Sequence, residues 1–244
     1  MSINFYDNSQ AIIKPFGKLE TKIPEIAVAC YSKSIIKYAV ERYNGKEVGK
    51  VSKVPVYLVN YNDKLVLIFC SPVGAPWASM VLEDLISLGI KRAIYFGTCG
   101  VLDEISEYEI LIPTKSKREE GTSYHYIPNR EYIDINEKYI ENFINLLQRK
   151  GMKYKKCITW TTDAPYRETR NKISKYVNNG ITCVDMESSA LSAIGKYRNI
   201  DVFIFFYAAD KIGKTWKKRN LGVKSERKND YIDLALELSI EICD

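Results

Sequence analysis

The sequence predicts an α/β fold: a single domain over residues 1–244, with a central mixed β-sheet flanked by helices. Three observations carry this. Near-continuous apolar runs alternate with stretches of helical periodicity, the pattern of a sheet covered on both faces. Two of the runs, VPVYLVN and KLVLIFC, are linked through the short YNDK stretch, so adjacent strands occur beside the helical crossovers and the sheet is mixed. No repeat, low-complexity segment or Pro/Gly-rich linker divides the 244 residues, a length that one large domain accommodates.

In chain order, EIAVAC (25–30) is a strand followed by a helical pattern over 32–43. VPVYLVN (54–60) and KLVLIFC (64–70) are strands, and residues 78–88 are helical. RAIYFG (92–97) and YEILIPT (108–114) follow as strands. Next come a helix over 137–150, the strand CITWTT (157–162) and a helix over 168–177. ITCVD (181–185), a helix over 187–196, the long dry strand VFIFFYAAD (202–210) and a helix over 226–243 complete the chain. REEGTSYHYIP (118–128) reads as a possible strand in which His125 alternates with Tyr124 and Tyr126.

Composition excludes several chemistries. A content of 46% hydrophobic and 27% charged residues is that of a soluble globule, and His125 is the single histidine. A histidine-rich zinc site or a Ser-His-Asp triad would have to use this one imidazole, so no metal site is expected. The net charge of +6 is spread along the chain except at KIGKTWKKR (211–219). That cluster reads as a solvated loop, with a lid over an anionic ligand as the alternative, and no nucleic-acid motif accompanies it. The six cysteines lie mostly in apolar runs without CxxC spacing, as buried free thiols do in a reducing compartment. The start MSINFYDNSQ has no signal-peptide pattern and no run has membrane-spanning length, so a cytoplasmic protein is expected.

Ligands of open α/β sheets bind beyond the carboxyl ends of the strands. That rule selects residues 30–33, 74–79, 97–100, 162–166, 185–187 and Asp210. In VDMESSAL, Asp185 and Glu187 stand at a strand-to-helix junction. They serve either as helix-N-terminal charge or as acceptors for a sugar diol. Asp210 ends a dry strand, either starting a turn or holding a proton through desolvation, and Ala208 and Ala209 before it leave room for a planar ligand. In TTDAPYRET, Tyr166 is a half-buried ring or a stacking face for a base.

The ordered set GTCG, TTDAPYRET, VDMESSAL and the AAD ending resembles the nucleoside phosphorylase family of hexameric purine nucleoside, uridine and archaeal methylthioadenosine phosphorylases. The stretch GAPWASMVLEDLISLGIKRAIYFGTCGVL resembles that family's central helix-strand-loop, and the resemblance extends from about Ile26 to the last helix. It implies a nucleoside phosphorylase-like domain that cleaves the N-glycosidic bond of a purine-favoured nucleoside. Phosphate serves as co-substrate and no cofactor is used, giving free base and pentose 1-phosphate. By the same resemblance Met186, Glu187 and Thr98 hold the ribose, Thr98 and Lys33 the phosphate, and Cys99, Gly100, Tyr166 and Asp210 the base. Asp210 is also the catalytic acid for the leaving group. A homo-oligomer, hexamer or dimer, without nucleic-acid or membrane partners, is implied too.

Two departures stand out. Where the family carries a glycine-aspartate-proline-x-arginine loop this chain has ACYSK, with Ala29 for the glycine and Lys33 for the arginine. Tyr95 stands where relatives place a second arginine. Losing charge-assisted phosphate contacts costs on the order of 1.5–3 kcal/mol each, which opens three alternatives. These are a uridine phosphorylase, with Arg170 near the uracil-reading position, a phosphate-independent nucleosidase, and a non-catalytic nucleoside-binding protein.

Overall fold

The structure, a computed structural model, describes residues 5–102, 109–212, 216–218 and 225–243; of 209, 210, 216–218 and 225–228 it describes the backbone alone. Strand β1 (Ile26–Cys30) leads into helix α1 (Lys33–Arg42), then β2 (Lys46–Val51), β3 (Val54–Tyr61) and β4 (Lys64–Cys70). Helix α2 (Ala75–Ser87) precedes β5 (Arg92–Val101), β6 (Ile110–Glu119), the short α3 (Ser123–Tyr126) and β7 (Tyr132–Asp134). There follow α4 (Ile140–Arg149), β8 (Tyr154–Thr162), a 3-10 turn at Pro165–Arg167 and α5 (Arg170–Asn178). The remaining elements are β9 (Cys183–Asp185), α6 (Ser188–Arg198), β10 (Asp201–Ile212), β11 (Trp216–Lys218) and α7 (Ser225–Glu241).

The mixed sheet and the flanking helices are as the sequence predicts. Strand order is β11-β10-β6-β8-β9-β5-β1-β4-β3-β2, with β7 beside β6 and a further pairing of β10 to β5. That extra pairing closes β5, β10, β6, β8 and β9 into a ring, from which β1 to β4 extend as an open wing.

Alternation along the central strands decides both faces. Ile26, Val28, Ile94, Phe96, Phe203 and Phe205 point into the cluster covered by α1, α4 and α7. Their neighbours Ala27, Ala29, Ala93, Tyr95, Ile204 and Phe206 point the other way, against α2 and α6. Strands dry on both sides read as unbroken apolar runs, which is why they are legible in the sequence.

The short link after β3 is a two-residue hairpin: Asn62 and Asp63 have φ of 49° and 62°, between the partners Tyr61 and Lys64. Such a pair suits the primed turns that match strand twist. Ser52 and Lys53 do the same between β2 and β3, at φ 46° and 69°.

Several elements differ from expectation. β2 and β7 carry no apolar run, since both lie at margins of the sheet where one face is wet. Helix α2 starts at Ala75, earlier than predicted, because Pro76 in its first turn has a φ preset for helix. Residues 123–126 form a helical turn rather than a strand. The Glu120 carboxylate accepts from the Ser123 N–H (2.9 Å), and the Ser123 hydroxyl receives Arg118 Nε (2.8 Å), tying that turn to the end of β6. The basic stretch 211–219 includes strand structure: β11 pairs antiparallel with β10 through Ile212↔Trp216 and Asp210↔Lys218. Residues 213–215 and 219 of that cluster lie outside the described residues. The cysteines are free thiols, with Cys30, Cys99, Cys157 and Cys183 buried. Among the described residues no helix is long and apolar enough to cross a membrane.

Candidate active site

Strand β5 is the organising element. It pairs with β1 and β10 along its apolar half, and its end, Gly100 and Val101, pairs with Val184 and Cys183 of β9. The carboxyl ends of β5 and β9 and the loop after β8 thereby meet around a cavity of about 620 Å³. Six predicted residues line it together: Thr98, Cys99, Gly100, Tyr166, Met186 and Glu187.

GTCG lies within β5 rather than in a loop after it, and its glycines answer to packing. A Cβ at Gly97 would lie 2.7 Å from Cδ2 of Tyr31, so the absent side chain lets that ring lie on the strand. A Cβ at Gly100 would meet Ile212 Cδ1 at 2.3 Å and Val184 Cγ1 at 2.9 Å. Between them Thr98 remains exposed to the cavity while Cys99 is buried.

Asp185 and Glu187 divide the two roles that their positions suggest. Asp185 is 6% exposed and accepts hydrogen bonds from Thr159 Oγ1 (2.7 Å) and from the N–H groups of Glu187 (2.8 Å) and Ser188 (2.7 Å). Thr161 Oγ1 stands at 3.2 Å from both its oxygens. It therefore holds the N-terminus of α6 and the turn that presents the next two residues. Glu187 is 8% exposed, and its Oε1 receives the Gly74 N–H at 2.6 Å. Gly74 has φ 100°, a conformation suited to glycine, and it begins α2. This one bond joins the β4–α2 loop to the β9–α6 junction and leaves carboxylate capacity facing the cavity.

The electrostatics are one-sided. Burial pushes the Asp185 carboxyl up to about 6, against the hydrogen bonds that lower it. Burial and then the Asp185 charge push Glu187 up to about 8. Burial alone raises Glu168 to about 7. All three line the cavity, and among the described residues no lysine, arginine or histidine lines it with them. Among the described residues the three carboxyls therefore have no compensating charge on that wall.

Two polar lining residues were not singled out from the sequence. Tyr31 belongs to the ACYSK segment at the end of β1, which the strand-end rule had marked. Its phenol is held far above the ordinary range, first by burial and then by the Glu187 charge. Glu168 sits in the quoted TTDAPYRET stretch, where nothing local marks a carboxyl as buried.

Of the remaining assignments, Lys33 lies apart from this cavity, the side chain of Asp210 is not described, and Tyr166 is more exposed than expected. Lys33 does not line it; it lines a neighbouring cavity of about 860 Å³ together with Lys37, Lys53 and Trp77. Asp210 has its backbone beside Gly100 at a register shift in β10, but its side chain lies outside the described residues. Tyr166 lines the cavity with its side chain fully exposed rather than half-buried, since it sits on the 3-10 turn at the rim. Tyr95 packs instead into the α2/α6 face, edge-to-face with Phe69, and its buried hydroxyl has no hydrogen-bond partner among the described residues. His125 stacks on Phe5 at 4.8 Å and is not among the cavity-lining residues.

Comparison with known proteins agrees with this fold. The sequence model of the phosphorylase superfamily matches residues 25–237. The DeoD-type purine nucleoside phosphorylase of Bacillus cytotoxicus is 23% identical over 184 residues, 74% of this chain and 78% of that protein. That of Alkaliphilus metalliredigens is 23% identical over 189 residues, with the same coverages of 74% and 78%. Among solved structures, the purine nucleoside phosphorylase of Toxoplasma gondii in complex with immucillin-H superposes with a TM-score of 0.79 at 16% identity, covering 91% of this chain and 92% of that one. The uridine phosphorylase of Vibrio fischeri superposes with a TM-score of 0.72 at 20% identity, covering 90% and 89%. With the match running through nearly every element that builds the cavity, the chain belongs to the nucleoside phosphorylase family.

Proposed function

We propose that this chain cleaves the N-glycosidic bond of a nucleoside, purine-favoured, passing the pentosyl group to phosphate and releasing the free base. The observation that carries the reading is the convergence of Thr98, Met186, Glu187 and Tyr166 on one cavity. Glu187, hydrogen-bonded to Gly74 through one oxygen, has acceptor capacity for the sugar hydroxyls. Tyr166 supplies an aromatic face for the base. As the bond breaks, the sugar takes on oxocarbenium character, and the Asp185 carboxylate, joined by Glu187 where it ionises, favours that positive charge. A purine is preferred because Asp210 follows the small residues Ala208 and Ala209 beside Gly100. The apolar Val73 at the cavity and the exposed Trp77 and Met80 on α2 support a homo-oligomer.

A second reading, hydrolysis, is favoured by one specific observation: Tyr31 covers Gly97 and the cavity wall, among the described residues, carries carboxyls without a cation. Water needs no counter-charge there, whereas phosphate dianion does. The test is to incubate the protein with inosine, adenosine, methylthioadenosine, guanosine and uridine, with and without phosphate, and follow free base. Phosphate-dependent release of a purine base is expected. Release at the same rate in phosphate-free buffer would establish the hydrolytic reading in its place. Nucleoside binding without cleavage would defeat both.

A further inference from the structure

We infer that Thr161 is a positioning residue for the sugar-binding pair Met186 and Glu187, and through them for telling ribose from 2′-deoxyribose. The inference rests on the nucleoside reading above and deepens it. Thr161 is fully buried on β8, beside its register partner Asp185 on β9, and is not among the cavity-lining residues. Any effect it has on a ligand therefore passes through its neighbours.

A threonine hydroxyl has one proton to donate and two lone pairs to fill. At Thr161 all three are used. Oγ1 donates to Asp185, standing 3.2 Å from each carboxylate oxygen. It accepts the Ser189 N–H of α6 at 3.2 Å and lies 2.8 Å from Ser116 Oγ of β6. With the Thr161 proton committed to the carboxylate, Ser116 is the donor of that last bond. One hydroxyl thus ties β6, β8, β9 and α6 together.

The consequence is a fixed start for α6. Asp185 accepts the N–H groups of Glu187 and Ser188, and Thr161 accepts that of Ser189, so three consecutive backbone donors end on these two side chains. On the far side the Ser189 hydroxyl donates to Glu120 at 2.7 Å. That carboxylate is 3% exposed, and its other oxygen receives the Ser123 N–H at 2.9 Å. The first turn of α6 is gripped from β8 and from the end of β6, and Met186 and Glu187 project into the cavity from within that grip. A displacement there moves the sugar acceptors, and small misplacements of positioning groups are costly. Valine at 161 has nearly the same shape, but it would leave the Ser189 N–H and the Ser116 hydroxyl without this acceptor and Asp185 without this donor.

The effect is expected on the part of the substrate that Glu187 reads. The experiment compares wild type, Thr161→Val and Thr161→Ser on the best nucleoside found above and on its 2′-deoxy counterpart. Binding is measured by calorimetry, and kcat/KM wherever base is released. In Thr161→Val the preference for the ribonucleoside is expected to fall about tenfold or more, in Kd and in kcat/KM alike. Thr161→Ser, which keeps the hydroxyl, is expected to stay within about threefold of wild type. Equal losses on both sugars would overturn the inference, because they mark a general disturbance of the fold. So would a wild-type preference in Thr161→Val, or a serine variant as impaired as the valine one. Should Thr161→Val fail to fold by circular dichroism, Ser116→Ala removes one of the three bonds. The preference is then expected to fall in the same direction, and an unchanged preference would overturn the inference. A wild type that binds nucleosides without cleaving them defeats the cleavage reading, while the binding preference still decides on Thr161. A wild type that binds the two sugars alike, or neither, would overturn the inference outright.

Discussion

Glu187 shows what a single side chain gives up to be useful. Its carboxyl rises from an ordinary 4.5 to about 8 because burial and the Asp185 charge both oppose ionisation. Between those values the folded protein binds more protons than the unfolded chain, so stability falls as pH rises through that window. Asp185, raised from 3.8 to about 6, adds the same slope at lower pH. Glu187→Gln keeps an oxygen for the Gly74 N–H but removes the buried charge. We expect the variant to gain on the order of 2 kcal/mol over wild type at about pH 8.5, and little at about pH 5, in urea unfolding. A destabilised variant at high pH would contradict this. Catalytic turnover should drop, as expected where stability is sacrificed to an active site. The carboxylates themselves are plain in VDMESSAL; their separation into a structural cap and a cavity acid is not, since both are strand-to-helix acids of like sequence setting.

At the scale of elements, the end of β1 and the end of β5 are coupled through one contact. The ring of Tyr31 occupies the place a side chain at Gly97 would take, at 2.7 Å. Gly97→Ala should therefore cost about 1–3 kcal/mol by overpacking. In a Tyr31→Ala background the same substitution should cost at least about 0.5 kcal/mol less, a coupling readable from a double-mutant cycle in denaturant. Additive losses would show that the loop is held elsewhere. The central strands and most helices were legible because burial on both faces writes an apolar run and a covered helix writes its period. β2 was not, because KEVGKV lies at the end of the strand order and exposes Lys46, Glu47 and Lys50. Nor was the helical turn at 123–126, which depends on side-chain bonds from Arg118 and Glu120 rather than on its own periodicity.

For the whole molecule, the closing pair β5–β10 and the helix that covers it matter together. Helix α7 buries Ile232, Leu236 and Leu238 completely, packing against β1, β4 and β5 and against α1 and α4. Tyr231 stacks on Tyr207 with ring centroids 4.2 Å apart. Burying three such aliphatic side chains is worth about 2–5 kcal/mol each, comparable in sum to the 5–15 kcal/mol net stability of a domain. A chain ended at residue 224 is therefore expected to lose cooperative thermal unfolding by circular dichroism. A sharp melt within a few degrees of wild type would count against a single core spanning this helix and the sheet.

What the sequence by itself determined is the α/β class, the order of most elements and the strand ends at which polar residues collect. Alternation, helical period and residue type are local properties, and they survive without knowledge of partners. Only the tertiary structure decided which of those ends share a cavity. The pairing of β5 with β9 and β10 brings Thr98 to Glu187 and Glu168, while the path of α1 directs Lys33 to a neighbouring cavity and Tyr31 onto Gly97. It also decided the protonation of the site, because desolvation depends on how much of the rest of the chain is packed around each carboxyl.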